Sequence, residues 1–70
     1  MTNYWITRVD PEDEVAECDA VSDGVYAMRY MLLNGEEDGP LFLCGEGIRT
    51  RKAFLDDDGD VVIEVQGTPR

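Results

Sequence analysis

Ser22-Asp23-Gly24-Val25-Tyr26-Ala27-Met28-Arg29-Tyr30-Met31-Leu32-Leu33-Asn34-Gly35 is the stretch that decides the fold. Ser22 offers the hydroxyl of an N-cap, the residues from Asp23 to Asn34 repeat their apolar side chains at helical spacing, and Asn34-Gly35 supplies a C-terminal stop. Val25, Met28 and Leu32 fall on one stripe, which is expected to face a sheet. Tyr26, Tyr30 and Leu33 form a second apolar stripe, roughly a quarter to a third of a turn around. Arg29 is the one charge between Asp23 and Asn34. So little polar surface predicts that the second stripe is covered by a partner or by a second copy of the chain.

On the N-terminal side, Tyr4 to Val9 reads as a strand, rich in aromatic and β-branched residues and stopped by Asp10-Pro11, since proline cannot continue a ladder. Glu12 to Val21 admits two readings. Asp10 as N-cap with Pro11 at the first helical position would start a helix. Alternation instead sets Ala16, Cys18 and Ala20 on one face and Val15, Glu17 and Asp19 on the other, as in a strand returning antiparallel to the first. On the C-terminal side, Leu41-Phe42-Leu43-Cys44 is a short buried strand, and Gly45-Glu46-Gly47 leads into a further strand over Ile48 to Leu55. Asp56-Asp57-Asp58-Gly59-Asp60 then joins it to Val61-Val62-Ile63-Glu64-Val65, with Asp58-Gly59 expected to take the positive φ values of a type I′ turn. With the strand reading of 12–21, the fold class is α+β: an antiparallel β-sheet with a single α-helix packed on one face, in the order β-β-α-β-β-β. Residues 1–70 form one small domain.

Charge and composition narrow the function. Sixteen acids against six bases give a net charge of −10 in 70 residues, which disfavours direct binding to nucleic acid or anionic lipid and favours a basic partner. No charge-free run approaches the roughly 20 residues of a membrane span, and no signal peptide is read at the N-terminus, so a reducing, cytoplasmic location is expected. There is no histidine and a single serine, Ser22, which removes most nucleophile and general-base constellations. The chain is therefore read as not an enzyme, with no catalytic residues and no cofactor. Cys18 and Cys44 lack the spacing of a redox or metal pair and are assigned to core packing as free thiols. The aspartate run is read as a solvated turn rather than a metal site, because an EF-hand loop with Gly59 as its central glycine would put Phe54 and Val65 at ligand positions.

The acids gather in Asp10 to Asp19, Glu36 to Asp38 and Asp56 to Asp60, whereas Arg49, Arg51 and Lys52 make the one basic cluster. If Glu17 and Asp19 share a strand face they lie about 6.6 Å apart, close to the spacing of neighbouring phosphates along a nucleic-acid strand. The expected partner-binding face is Glu12, Asp13, Glu14, Glu17 and Asp19, joined by Asp56, Asp57, Asp58 and Asp60. Tyr26, Tyr30 and Leu33 are the apolar anchors for a partner or a dimer; Trp5 is read as core, with a place among the anchors as its alternative.

With the strand pair, the Ala20-Val21-Ser22 step into the helix and the closing strands assembled, the layout resembles small acidic phage-encoded anti-defence proteins, namely type I anti-CRISPR inhibitors of the DNA-mimic kind. That resemblance implies a stoichiometric inhibitor in the host cytoplasm, whose acidic face occupies the DNA- or RNA-binding surface of a protein complex such as a CRISPR surveillance complex. A different reading is a small accessory homodimer from a salt-adapted organism, its acidity serving solubility alone. Five Arg against one Lys and nine Asp against seven Glu suit that composition.

Overall fold

The computed structural model describes residues 3–8, 13–37 and 39–66. The order along the chain is β1 (Tyr4–Thr7), β2 (Glu14–Cys18), α1 (Val21–Leu33), β3 (Leu41–Gly45), β4 (Arg51–Leu55) and β5 (Val61–Val65). All strand pairs are antiparallel and the sheet order is β2-β1-β3-β4-β5, so β2 and β5 are the two edges. This is the expected α+β arrangement, and 12–21 resolves to a strand over Glu14–Cys18. Glu12 and Val9 lie outside the described residues.

One helix can cover only one face of a five-stranded sheet. The covered face carries Ile6 from β1, Leu41 and Leu43 from β3 and Ala53 from β4, closed by Met28 and Leu32 of α1. Gly24, Met28 and Leu32 recur at four-residue spacing and form the buried line of the helix. Gly24 permits the close approach: a Cβ there would lie 2.6 Å from one Leu43 methyl, 2.9 Å from the other and 3.0 Å from the Cys18 sulfur. Gly45 does the same at the far end of β3, where a Cβ would run into the ring of its cross-strand neighbour Tyr4.

Several local expectations are corrected. The N-cap is Ala20, with extended backbone and no side-chain cap bond, so Ser22 lies inside the first turn beside Asp23. Asp23 there meets the positive end of the helix dipole and favours the earlier start. The helix ends as expected, with Asn34 as C-cap and Gly35 at φ +75°. In β2, Thr7 pairs with Glu14 while Ile6 pairs with Ala16, leaving Val15 as the extra residue of a bulge. Val15 therefore packs toward the core beside Ala16 instead of facing away with Glu17. The β4–β5 turn is not type I′, because Gly59 has φ +85° and no described non-glycine residue has positive φ. Asp56 Oδ1 accepts the amides of Asp58 and Asp60 at 2.9 Å each, and Gly59 N–H bonds Asp56 O at 3.1 Å. That is a type I turn followed by a left-handed glycine, the usual three-residue hairpin. β4 starts at Arg51 rather than Ile48, since Gly47 at φ +78° turns the chain and Ile48 packs on the core from that loop.

Candidate functional site

Strand register fixes where the acids gather. Thr7 lies opposite Glu14 and Phe42, Leu41 opposite Ala53, and Leu55 opposite Val61. The end of β1, the start of β2, the α1–β3 connection and the β4–β5 turn thus emerge at one end of the sheet. Asp13, Glu14, Glu36, Glu37, Asp56, Asp57, Asp58 and Asp60 belong to that end. The C-terminus of α1 points there too, with no basic residue in its last turn, and adds its partial negative charge.

Arg8 is the counter-ion held inside this acidic end. Its Nη1 donates to Asp13 Oδ2 at 2.8 Å, and its Nε and Nη2 fork onto Glu37 at 2.8 and 3.0 Å. These bonds, to Glu37 first and Asp13 second, push its pKa above the usual arginine value. Arg8 thus ties the residue that enters β2 to the segment after the helix.

The nine acids expected to make one face are divided. Asp13 and Glu14 stand at the β2 edge and Asp56, Asp57, Asp58 and Asp60 at the β4–β5 corner, about 14 to 19 Å away across three to four strand spacings. Glu17 sits further along β2, and Asp19 follows the strand in a bend, so the two do not form a row on one strand face. Glu12 is outside the described residues. The basic cluster divides as well: Arg51 pairs in register with Leu43 and Val65, and Lys52 alternates onto the opposite face. Lys52 Nζ rests 5.4 Å from the centre of the Phe54 ring, and Arg51 Nη1 bonds the carbonyl of Arg49 at 3.1 Å.

Asp56, Asp58 and Asp60 present carboxylate oxygens within 4.8 Å of one another. One oxygen of Asp56 is already engaged by the two turn amides, and the grouping follows from hairpin geometry. Cys18 and Cys44 are free and lie on opposite faces of the sheet, since Tyr4 and Trp5, their respective neighbours on β1, alternate. Burial, with Asp23 and Asp19 nearby, raises the Cys18 pKa above its ordinary value.

Tyr26, Tyr30 and Leu33 are exposed, as the helical spacing predicts. Together with Arg29 and Asn34 they line a shallow groove of about 370 Å³ on the outer side of α1.

The face of the sheet away from the helix is the surface that sequence reasoning missed. Trp5 and Cys44 oppose each other there, as do Phe42 and Lys52, and Phe54 and Val62. Trp5 is 36% exposed, so it lies outside the core, and Cys44 shares its face. Thr7 belongs to the Phe42 row yet is only 1% exposed, its Oγ1 without a hydrogen-bond partner. The available signal was period-two spacing through Trp5/Thr7, Phe42/Cys44, Lys52/Phe54 and Val62/Glu64.

No protein family, curated protein or solved structure matches this chain. Among the described residues no helix is long and apolar enough to cross a membrane.

Proposed function

We propose that this chain is a non-enzymatic binding protein that sets its acidic end on a basic, nucleic-acid-binding surface of another protein and competes there with DNA or RNA. The observation that carries the reading is the convergence of three acidic connections and the helix C-terminus at one end of the sheet. Asp57, Asp58 and Asp60 are exposed on a turn whose backbone is fixed by Asp56, so their charges are offered at low ordering cost. Attraction speeds encounter and weakens with salt, since the Debye length is about 8 Å at physiological ionic strength. A stoichiometric anti-defence inhibitor that blocks the nucleic-acid groove of a complex, such as a CRISPR surveillance complex, is the form of this function that the acidic layout supports.

The test is capture on immobilised protein from a phage-infected or CRISPR-bearing bacterial lysate, with an Asp57→Lys/Asp58→Lys/Asp60→Lys variant in parallel. The reading expects a nucleic-acid-handling protein that is released by added DNA or RNA and by high salt, and that the variant fails to retain. Retention that ignores both the polyanion and the triple substitution would sink it.

The exposed Tyr26, Tyr30 and Leu33 favour a second reading, a homodimer joined through α1 whose acids act only in solubility. In that case Tyr30→Glu converts a dimer to a monomer in light scattering, while the aspartate reversals leave the mass unchanged.

A further inference from the structure

An antiparallel sheet with one covered face normally turns polar residues to water on the other. Here the uncovered face carries Trp5, Phe42, Cys44, Phe54 and Val62, mostly on the three inner strands. The edge strands frame it with carboxylates: Glu14 and Glu17 on β2, opposite Thr7 and Trp5, and Glu64 on β5, opposite Lys52. All three glutamates are exposed. From these residues we infer that the face is a docking site for a basic amphipathic helix of another protein, its apolar stripe lying along the inner strands and its lysines or arginines reaching the glutamates on both sides.

The dimensions agree. The edge strands stand about 19 Å apart, and a helix about 11 Å across leaves roughly 4 Å on each flank, a gap that a long basic side chain bridges. Seating it converts a two-layer fold into a helix-sheet-helix sandwich. A second copy fits less well, because face-to-face stacking would set Glu14, Glu17 and Glu64 against their equivalents and bring two net charges of −10 together. A helix about 11 Å wide lying along strands about 17 Å long covers about 190 Å² of the sheet, or about 370 Å² counted on both sides, well below the size of stable complexes, so weak and transient binding is expected. Lys52, lying over Phe54, is the one cation on this face among the described residues and opposes the incoming charge. Of the residues on this face only Glu14 also belongs to the acidic end, and Trp5, Glu17, Lys52 and Glu64 lie apart from it, so the docking site and the acidic end fail separately.

Trp5 is the sole tryptophan and a built-in reporter. The probe is a synthetic helix of about 14 residues, leucine on one stripe and lysine on its flanks, with a glutamate-flanked peptide as control. Titration should shift Trp5 emission to the blue, and amide NMR shifts should map to β1, β3 and β4. Glu17→Gln and Glu64→Gln should each weaken binding about threefold, while Lys52→Gln should strengthen it by a similar factor. Asp57→Lys/Asp58→Lys, which reports on the acidic end, should leave the location of the shifts unchanged. Four outcomes each overturn the inference: unchanged Trp5 emission, shifts on Tyr26 and Tyr30 instead, equal binding of the control peptide, or weaker binding by Lys52→Gln. A dimer in light scattering whose Trp5 emission moves to the red on dilution would also overturn it, assigning the face to a second copy.

Discussion

Gly24→Ala tests the packing that holds the helix to the sheet. In an isolated helix the change stabilises by about 1 kcal/mol, because alanine loses less backbone freedom than glycine. Here the new methyl would sit 2.6 and 2.9 Å from the two Leu43 methyls and 3.0 Å from the Cys18 sulfur, where carbon atoms ordinarily rest about 3.5 to 4.0 Å apart. Leu43 is fully buried on a central strand and has nowhere to retreat. Overpacking of this kind costs about 1 to 3 kcal/mol, and an overlap near 1 Å at two atoms belongs at the upper end. The net expectation is a loss of about 1 to 2 kcal/mol, or roughly 5 to 15 °C in melting temperature for a domain this small. Urea unfolding followed by circular dichroism reads it as a lower midpoint with an unchanged slope. In a Leu43→Ala background the methyl gains room, so the same substitution should become neutral or stabilising. A raised midpoint for Gly24→Ala alone would refute the close approach of α1 to β3.

Thr7→Val removes a buried hydroxyl that has no partner and should raise stability by about 1 kcal/mol in the same urea assay, whereas Thr7→Ser should not. Gly59→Ala forces a side chain into the left-handed region and should cost about 1 kcal/mol, with Gly59→Asn costing less. The raised Cys18 pKa means that the folded chain holds the thiol proton more tightly than the unfolded one. Its stabilising effect is therefore complete below the ordinary thiol value of about 8.5 and is lost as pH rises from there through the folded value. In a Cys44→Ser background, alkylation of Cys18 should show a pH profile displaced upward from that of a free thiol, and a profile at the ordinary position would contradict the burial. Asp57→Lys and Asp58→Lys alter exposed turn positions and should each change the urea midpoint by the equivalent of less than about 0.5 kcal/mol.

The helix was legible because its signals agree: Met28 and Leu32 at core spacing and Asn34-Gly35 as a stop. The hairpin was legible from five turn-forming residues between two apolar runs, though its type was not. An aspartate carboxylate that collects two amides selects a type I turn, and spacing alone does not reveal that bond. The start of α1 was misplaced because serine is the better cap by chemistry, while the chain uses Ala20 and gains from Asp23 in the first turn. Spacing alone puts Trp5 and Cys44 in the core, because apolar residues in strands usually go there. Only the strand order shows that one 13-residue helix leaves the second face open. The acids were legible as clusters, but whether they share a face depends on strand order, and that order carries β2 and the β4–β5 turn to opposite sides.

The bulge at Val15 makes the two borders of the sheet unequal. Along β2 the extra residue breaks the regular ladder, and Glu14 and Glu17 add charge, so another strand finds poor register there. Along β5, Val61–Val65 is regular over its whole length and carries one acid, Glu64. A strand added to this sheet would therefore find register only along β5, and a contact of that kind between two copies would close after joining them. A sheet with both sides receptive would propagate into a fibre; this one has a built-in terminator.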